Sequence, residues 1–168
     1  MNEHTQVQLP VRARLAHVEN AVATAAAEVG VEHPHHGFRA ELDELGARLA
    51  QVHDRCHEVD DDAWAAYSAR LDRGLDELHV ELARAAEHPN SGPSGDDVLF
   101  ARTARLELDG WLVRLDVPGA ASDHPRAREL ASAASRELAD YRANCSTGAG
   151  ASRAGVGQAM AALRHAAR

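Results

Sequence analysis

Eleven histidines stand in this chain of 168 residues. Imidazoles at short spacing are a common way for a helical protein to hold a transition metal. The tightest group is His53, Cys56, His57 and Asp61. His53, His57 and Asp61 recur at i, i+4 and i+8, so on an unbroken helix they form one column that could share zinc or iron. Bundle metal sites need ligands that point inward from several helices. In the heptad frame with Leu42, Leu49 and Cys56 at a and Leu45, Val52 and Val59 at d, His53 falls at e, His57 at b and Asp61 at f. The column therefore runs from the flank of a bundle out to solvent, and the expectation is a polar face, with a metal or haem site as the alternative.

The other chemistry-bearing groups are weaker. His33, His35 and His36 cluster beside Pro34 in a stretch that reads as a linker, where loop imidazoles could ligate or sense pH. His79 lies between Glu77 and Glu81, which helical geometry sends to different faces. Cys145, Ser146 and Thr147 offer nucleophiles without a recognisable base. The glycines from Gly148 to Gly157 follow no strand, so they do not form a phosphate cradle. No Gly-x-Gly-x-x-Gly or Gly-x-Ser-x-Gly occurs, and no lysine exists to complete a phosphate loop. Hemerythrin-like bundles match the His53–His57 pair but need further ligands in step on neighbouring helices, and these are missing. Ferritin-like Glu-x-x-His spacing occurs once, from Glu32 to His35, across a proline. Trp64, Tyr67, Phe100 and Trp111 sit at core-like helical spacings and read as packing anchors; a small-molecule sensor near Trp64 and Trp111 is a third possibility.

The elements that must position these residues are helices. Leu42, Leu45, Leu49, Val52, Cys56 and Val59 form one apolar stripe, and Leu71, Leu75, Leu78, Leu82 and Ala85 a second. The first frame fails beyond Val59, where it would put Arg70 and Arg73 in the core. Asp60, Asp61 and Asp62 suit a helix start. A turn or sharp kink at Val59–Asp62 follows, giving helices over about 38–59 and 62–88. A first helix begins at Pro10 after a loose tail (1–10) and stops at Gly30. His88 to Gly95 breaks the chain, and Asp96 caps a fourth helix with Val98, Ala101, Leu108, Leu112 and Leu115 on its stripe. A fifth starts near Asp123 with Pro125 in its first turn and carries Leu130, Ala134, Leu138 and Tyr141. The sequence thus predicts an all-α antiparallel bundle of about five helices over 11–144. Residues 145–168 read as a Gly/Ser/Ala-rich joint ending in a short, flexible C-terminal helix from Gln158.

Composition narrows the function. Alanine accounts for 35 residues and aromatics for 4%, which favours close helix–helix approach over a thick interior. All 18 basic residues are arginine, and the net charge is -8. Asp and Glu outnumber Arg 15 to 6 over residues 37–97 and are outnumbered 4 to 7 from Asp123 onward, so these regions could attract each other within the fold or across a dimer. A net acidic chain without a basic cluster is a poor nucleic-acid binder. The two cysteines lack paired spacing, and no apolar run or leader points to a membrane or to export, which together suit the cytoplasm. The expected function is non-catalytic: a helical-bundle protein that self-associates as a homodimer or docks a partner helix through its leucine stripes.

Overall fold

The computed structural model describes residues 3–28, 35–59, 61–88, 90–116, 125–147 and 152–167, without the side chains of 3–12, 25, 26, 28, 35–38 and 55–59. Among the described residues every regular element is a helix: α1 (Glu3–Glu28), α2 (His35–Val59), α3 (Asp61–Glu87), α4 (Gly95–Asp116), α5 (Pro125–Thr147) and α6 (Arg153–Ala166). The all-α bundle expected from the stripes is what forms.

α1 to α4 make an up-down-up-down bundle, and α5 and α6 form a hairpin laid on α4. Arg39 of α2 bonds Glu19 of α1, which sets those two antiparallel. Arg102 of α4 reaches Glu77 and Glu81 of α3, and Tyr141 of α5 reaches Asp97 of α4, marking two further antiparallel pairs. Leu42, Leu45, Leu49 and Val52 of α2 and Leu71, Leu75, Leu78 and Leu82 of α3 are all buried. The leucine stripes therefore close on this chain's own helices. Cys56 and Val59 lie outside the described side chains.

α2 and α3 are separate helices. The rings of His53 and Trp64 lie 3.9 Å apart, edge to face, whereas residues eleven apart on one helix would be separated by about 16 Å at 1.5 Å per residue. The reversal expected at Val59–Asp62 is present. It also corrects the expectation for His53, which is 5% exposed: folding α3 back on α2 lays Trp64 over the heptad e position and shuts out water.

Several boundaries differ from the sequence reading. α1 starts at Glu3 and not at Pro10, since neither glycine nor another proline interrupts Glu3 to Leu9. α2 starts at His35, so His35 and His36 belong to a helix and not to a linker; His33 lies outside the described residues. α4 is capped by Ser94, not Asp96. The Ser94 hydroxyl donates to Asp97 Oδ2 at 2.8 Å and accepts the Asp97 backbone N–H at 3.2 Å, a side-chain N-cap. α6 begins at Arg153, with Gly155 and Gly157 inside it. Val156, Met160, Leu163 and Ala167, spaced four, three and four, are buried and seat it on α5.

α4 is the centre. Beside the expected stripe it buries Leu99, Leu106 and Val113 on its other side, while Leu112 is only half-buried. A helix that buries apolar residues on both sides is one enclosed by neighbours: α4 meets α2, α3, α5 and α6.

Candidate functional site

Three helix faces converge on a groove of about 220 Å³ whose floor is α4 and whose walls are α2 and α6. α2 supplies Glu41, Glu44, Leu45 and Arg48; α4 supplies Phe100, Thr103, Ala104 and Glu107; α6 supplies Val156, Gly157, Met160 and Arg164. The first two sets are spaced i, i+3, i+4, i+7, the signature of one helix face. Polar and apolar side chains alternate along it, so the groove is neither a dry cavity nor a wet notch.

Its lower end is a buried carboxylate, Glu107, 2% exposed. Arg48 donates Nη1 to Oε2 at 3.0 Å. Arg164 donates Nε to Oε1 at 2.5 Å and Nη2 to Oε2 at 3.0 Å, a bidentate fork. The Trp111 indole N–H adds a longer bond to Oε1 at 3.4 Å. The hydrogen bond to Glu107, reinforced by its charge, raises the Arg164 guanidinium above its ordinary value. A carboxylate has about four lone-pair sites, and four donors address these. Glu107 therefore has no lone pair to spare as a general base; it ties α2 and α6 together through α4. Arg48 also pairs with Glu44 one turn earlier.

Glu41 differs from the other charged residues of the groove. It is half-buried and makes no hydrogen bond or ion pair among the described residues. Burial lifts its carboxyl above the ordinary carboxylate range; the charges of Asp96 and Glu44 push the same way, and Arg153 opposes them.

Beyond the groove, the start of α4 is knotted to α5 and α6. Asp97 Oδ1 accepts the Tyr141 hydroxyl at 2.6 Å and Arg153 Nη2 at 3.2 Å. Burial alone would raise the Asp97 carboxyl, but bonds from Tyr141, Ser94 and Arg153 outweigh it and hold it below the ordinary range. The Tyr141 hydroxyl is pushed well above its usual value by burial and by its bond to Asp97. Arg153 lies over the Phe100 ring, 5.1 Å from its centre. On the α3 side, Arg102 forks onto Glu81 at 2.5 and 2.7 Å, lowering the Glu81 carboxyl, and Arg142 stands 4.0 Å from the same group. The acidic middle of the chain and its basic C-terminal part thus attract one another inside the fold.

The histidine column is only partly gathered. His53 lies against Trp64 with Nδ1 3.2 Å from Asp54, Asp61 is exposed in the first turn of α3, and the side chain of His57 is outside the described residues. Among the described residues no three His, Cys, Asp or Glu side chains converge as a metal site requires. His79 instead meets His17 of α1, ring centres 5.2 Å apart, a pairing that spacing within one helix does not reveal. The Ser146 and Thr147 hydroxyls donate to the carbonyls of Arg142 and Ala143 one turn back, and half-buried Cys145 lines a second cleft of about 180 Å³ with Arg84 and Asp97. Gly148 to Gly150 are outside the described residues. Trp64, Tyr67 and Trp111 are buried as core anchors, and neither Trp64 nor Trp111, near which a sensor site was the third possibility, lines the groove. Among the described residues no helix is long and apolar enough to cross a membrane. Compared with protein-family models, curated proteins and solved structures, the chain matches none.

Proposed function

We propose that this chain is a non-catalytic binding protein that takes a small, partly apolar molecule into the groove between α2 and α6. The observation behind this reading is the convergence of three helix faces on one open space whose buried carboxylate is already saturated by its own arginines. Such a floor positions the walls, and Glu107, saturated by its donors, is not itself available as a base. Docking of a partner helix through the leucine stripes loses its motive once those stripes fill the chain's own core; among the described residues Val80, 55% exposed, is the large hydrophobic side chain left outside.

Size sets the class of occupant. A cavity of about 150 Å³ accommodates benzene, so about 220 Å³ suits a single ring or a short alkyl chain with one polar group. Gly157 lines the groove, and a Cβ there would have nothing within 4 Å. Gly157→Trp should therefore fill the space without unfolding the helix. Thermal-shift and calorimetric screening of ring-sized fragments should find binders that the wild type takes and Gly157→Trp refuses at unchanged melting temperature. Fragments that bind both forms equally, or none at millimolar concentration, would overturn the proposal.

A further inference from the structure

We infer that the occupant of the α2–α6 groove carries a cationic group, an amine or an amidine, that pairs with Glu41 while its apolar part lies among Phe100, Val156 and Met160. This rests on the groove being a binding site and adds the charge of what it binds.

The charges already present in the groove decide its sense. Arg48 and Arg164 are both committed to Glu107, and Glu44 is committed to Arg48. Arg153, the cation whose field reaches Glu41, is itself bonded to Asp97. Glu41 is left as the ionisable side chain of the groove with no hydrogen bond or ion pair among the described residues. It is half-buried and lies within the field of two further carboxylates, Asp96 and Glu44. An incoming anion would meet Glu41 and Glu44 in the lining with Asp96 nearby, and the guanidiniums around them, Arg48, Arg153 and Arg164, are each already paired with a carboxylate. A neutral molecule would cover Glu41 further and leave it unpaired, and an unpaired carboxylate loses its hydration without return. A cation offsets both costs, and a charge-assisted bond to a carboxylate is among the stronger ones available. Specificity then follows from the one carboxylate of the groove that lacks an ion-pair partner among the described residues, set beside the apolar Phe100, Val156 and Met160.

Benzylamine, benzyl alcohol and benzoate share one ring and differ in charge, so they serve as probes. Calorimetry at neutral pH should show benzylamine binding about tenfold or more tightly than benzyl alcohol, with benzoate weakest. Glu41→Gln should abolish the preference for benzylamine and leave benzyl alcohol unchanged, and Glu41→Asp should keep part of it. Unchanged melting of Glu41→Gln shows that the fold is retained, and Glu41→Asp supplies the readout should it melt early. Equal binding of amine and alcohol, or a preference that survives Glu41→Gln, overturns the cationic assignment while Gly157→Trp sensitivity still upholds the groove. Benzoate as the tightest probe overturns it too. Failure of all three probes on the wild type, or binding that Gly157→Trp does not touch, overturns the groove itself.

Discussion

Replacing Glu107 by glutamine tests the joint that holds the groove together. The amide would keep the shape but present an N–H₂ to guanidiniums that are themselves donors only. With the amide nitrogen in place of Oε2, one fork tooth of Arg164 and the Arg48 bond would have no acceptor. Removing one partner of a buried ion pair costs about 3–5 kcal/mol. Arg48 and Arg164 keep 27% and 28% of their side chains exposed, so water recovers part of that, and about 2–3 kcal/mol is expected. For a chain of this size that corresponds to a fall of roughly 5–10 °C in melting temperature. Urea unfolding of wild type, Glu107→Gln, Arg164→Met and the double variant gives the loss and the coupling together, the latter expected at about 1 kcal/mol or more. A Glu107→Gln variant within about 0.5 kcal/mol of wild type, or a cycle additive within about 0.5 kcal/mol, would refute the idea that this carboxylate organises the site.

Acid should unfold the protein partly through Asp97 and Glu81. Their folded carboxyls titrate below the ordinary range, so the unfolded chain binds more protons, and their stabilisation is full above about pH 5 and lost progressively as pH falls below it. Melting curves on the acid side should show this limb, and Tyr141→Phe should flatten it while costing about 1 kcal/mol at neutral pH. Glu41 has the opposite sign: its raised carboxyl makes the folded state bind more protons, so its contribution declines as pH rises through the carboxylate range. Glu41→Gln should accordingly melt no lower than wild type at pH 7, by calorimetry. Gly110→Ala should destabilise by about 1–3 kcal/mol in urea titrations, because the new methyl meets Tyr67 and Val52 at 3.0 Å; a gain in stability would show that this contact has slack. His53→Ala should cost about 1–3 kcal/mol and alter the near-UV circular dichroism of Trp64, whose edge partner it removes.

How much of this was legible depended on whether the signal was local. Leu42 to Val52 and Leu71 to Leu82 announce two helices by spacing alone, and the misfit of Arg70 and Arg73 locates the break between them. Capping by Ser94 is equally local, in Ser-Gly-Asp-Asp, but Asp96 is the more conspicuous candidate there. Burial of His53 is not local: heptad position e is a flank until α3 folds back eleven residues later. Glu107 leaves a faint trace. It lies between Leu106 and Leu108, in a helix where Leu99, Leu106 and Val113 recur every seven residues behind the first stripe. A helix apolar on both sides leaves a charge no route to solvent, so such a carboxylate must find cations elsewhere in the chain. Which cations these are, and that a groove forms where they meet, depends on α2 and α6, distant in sequence, both reaching α4 at Glu107.

The enclosure of α4 has a bearing on how the molecule can be divided. Four helices followed by a two-helix hairpin look like a bundle with an appendage, yet the boundary runs through the middle of one rod. Cutting the chain before Arg153 would strip Asp97 and Glu107 of an arginine each and take away the helix that packs along α5. No cut isolates an intact half, so the appendage is as much a wall of the house as the four helices before it, and heat or urea should bring the whole down in one step.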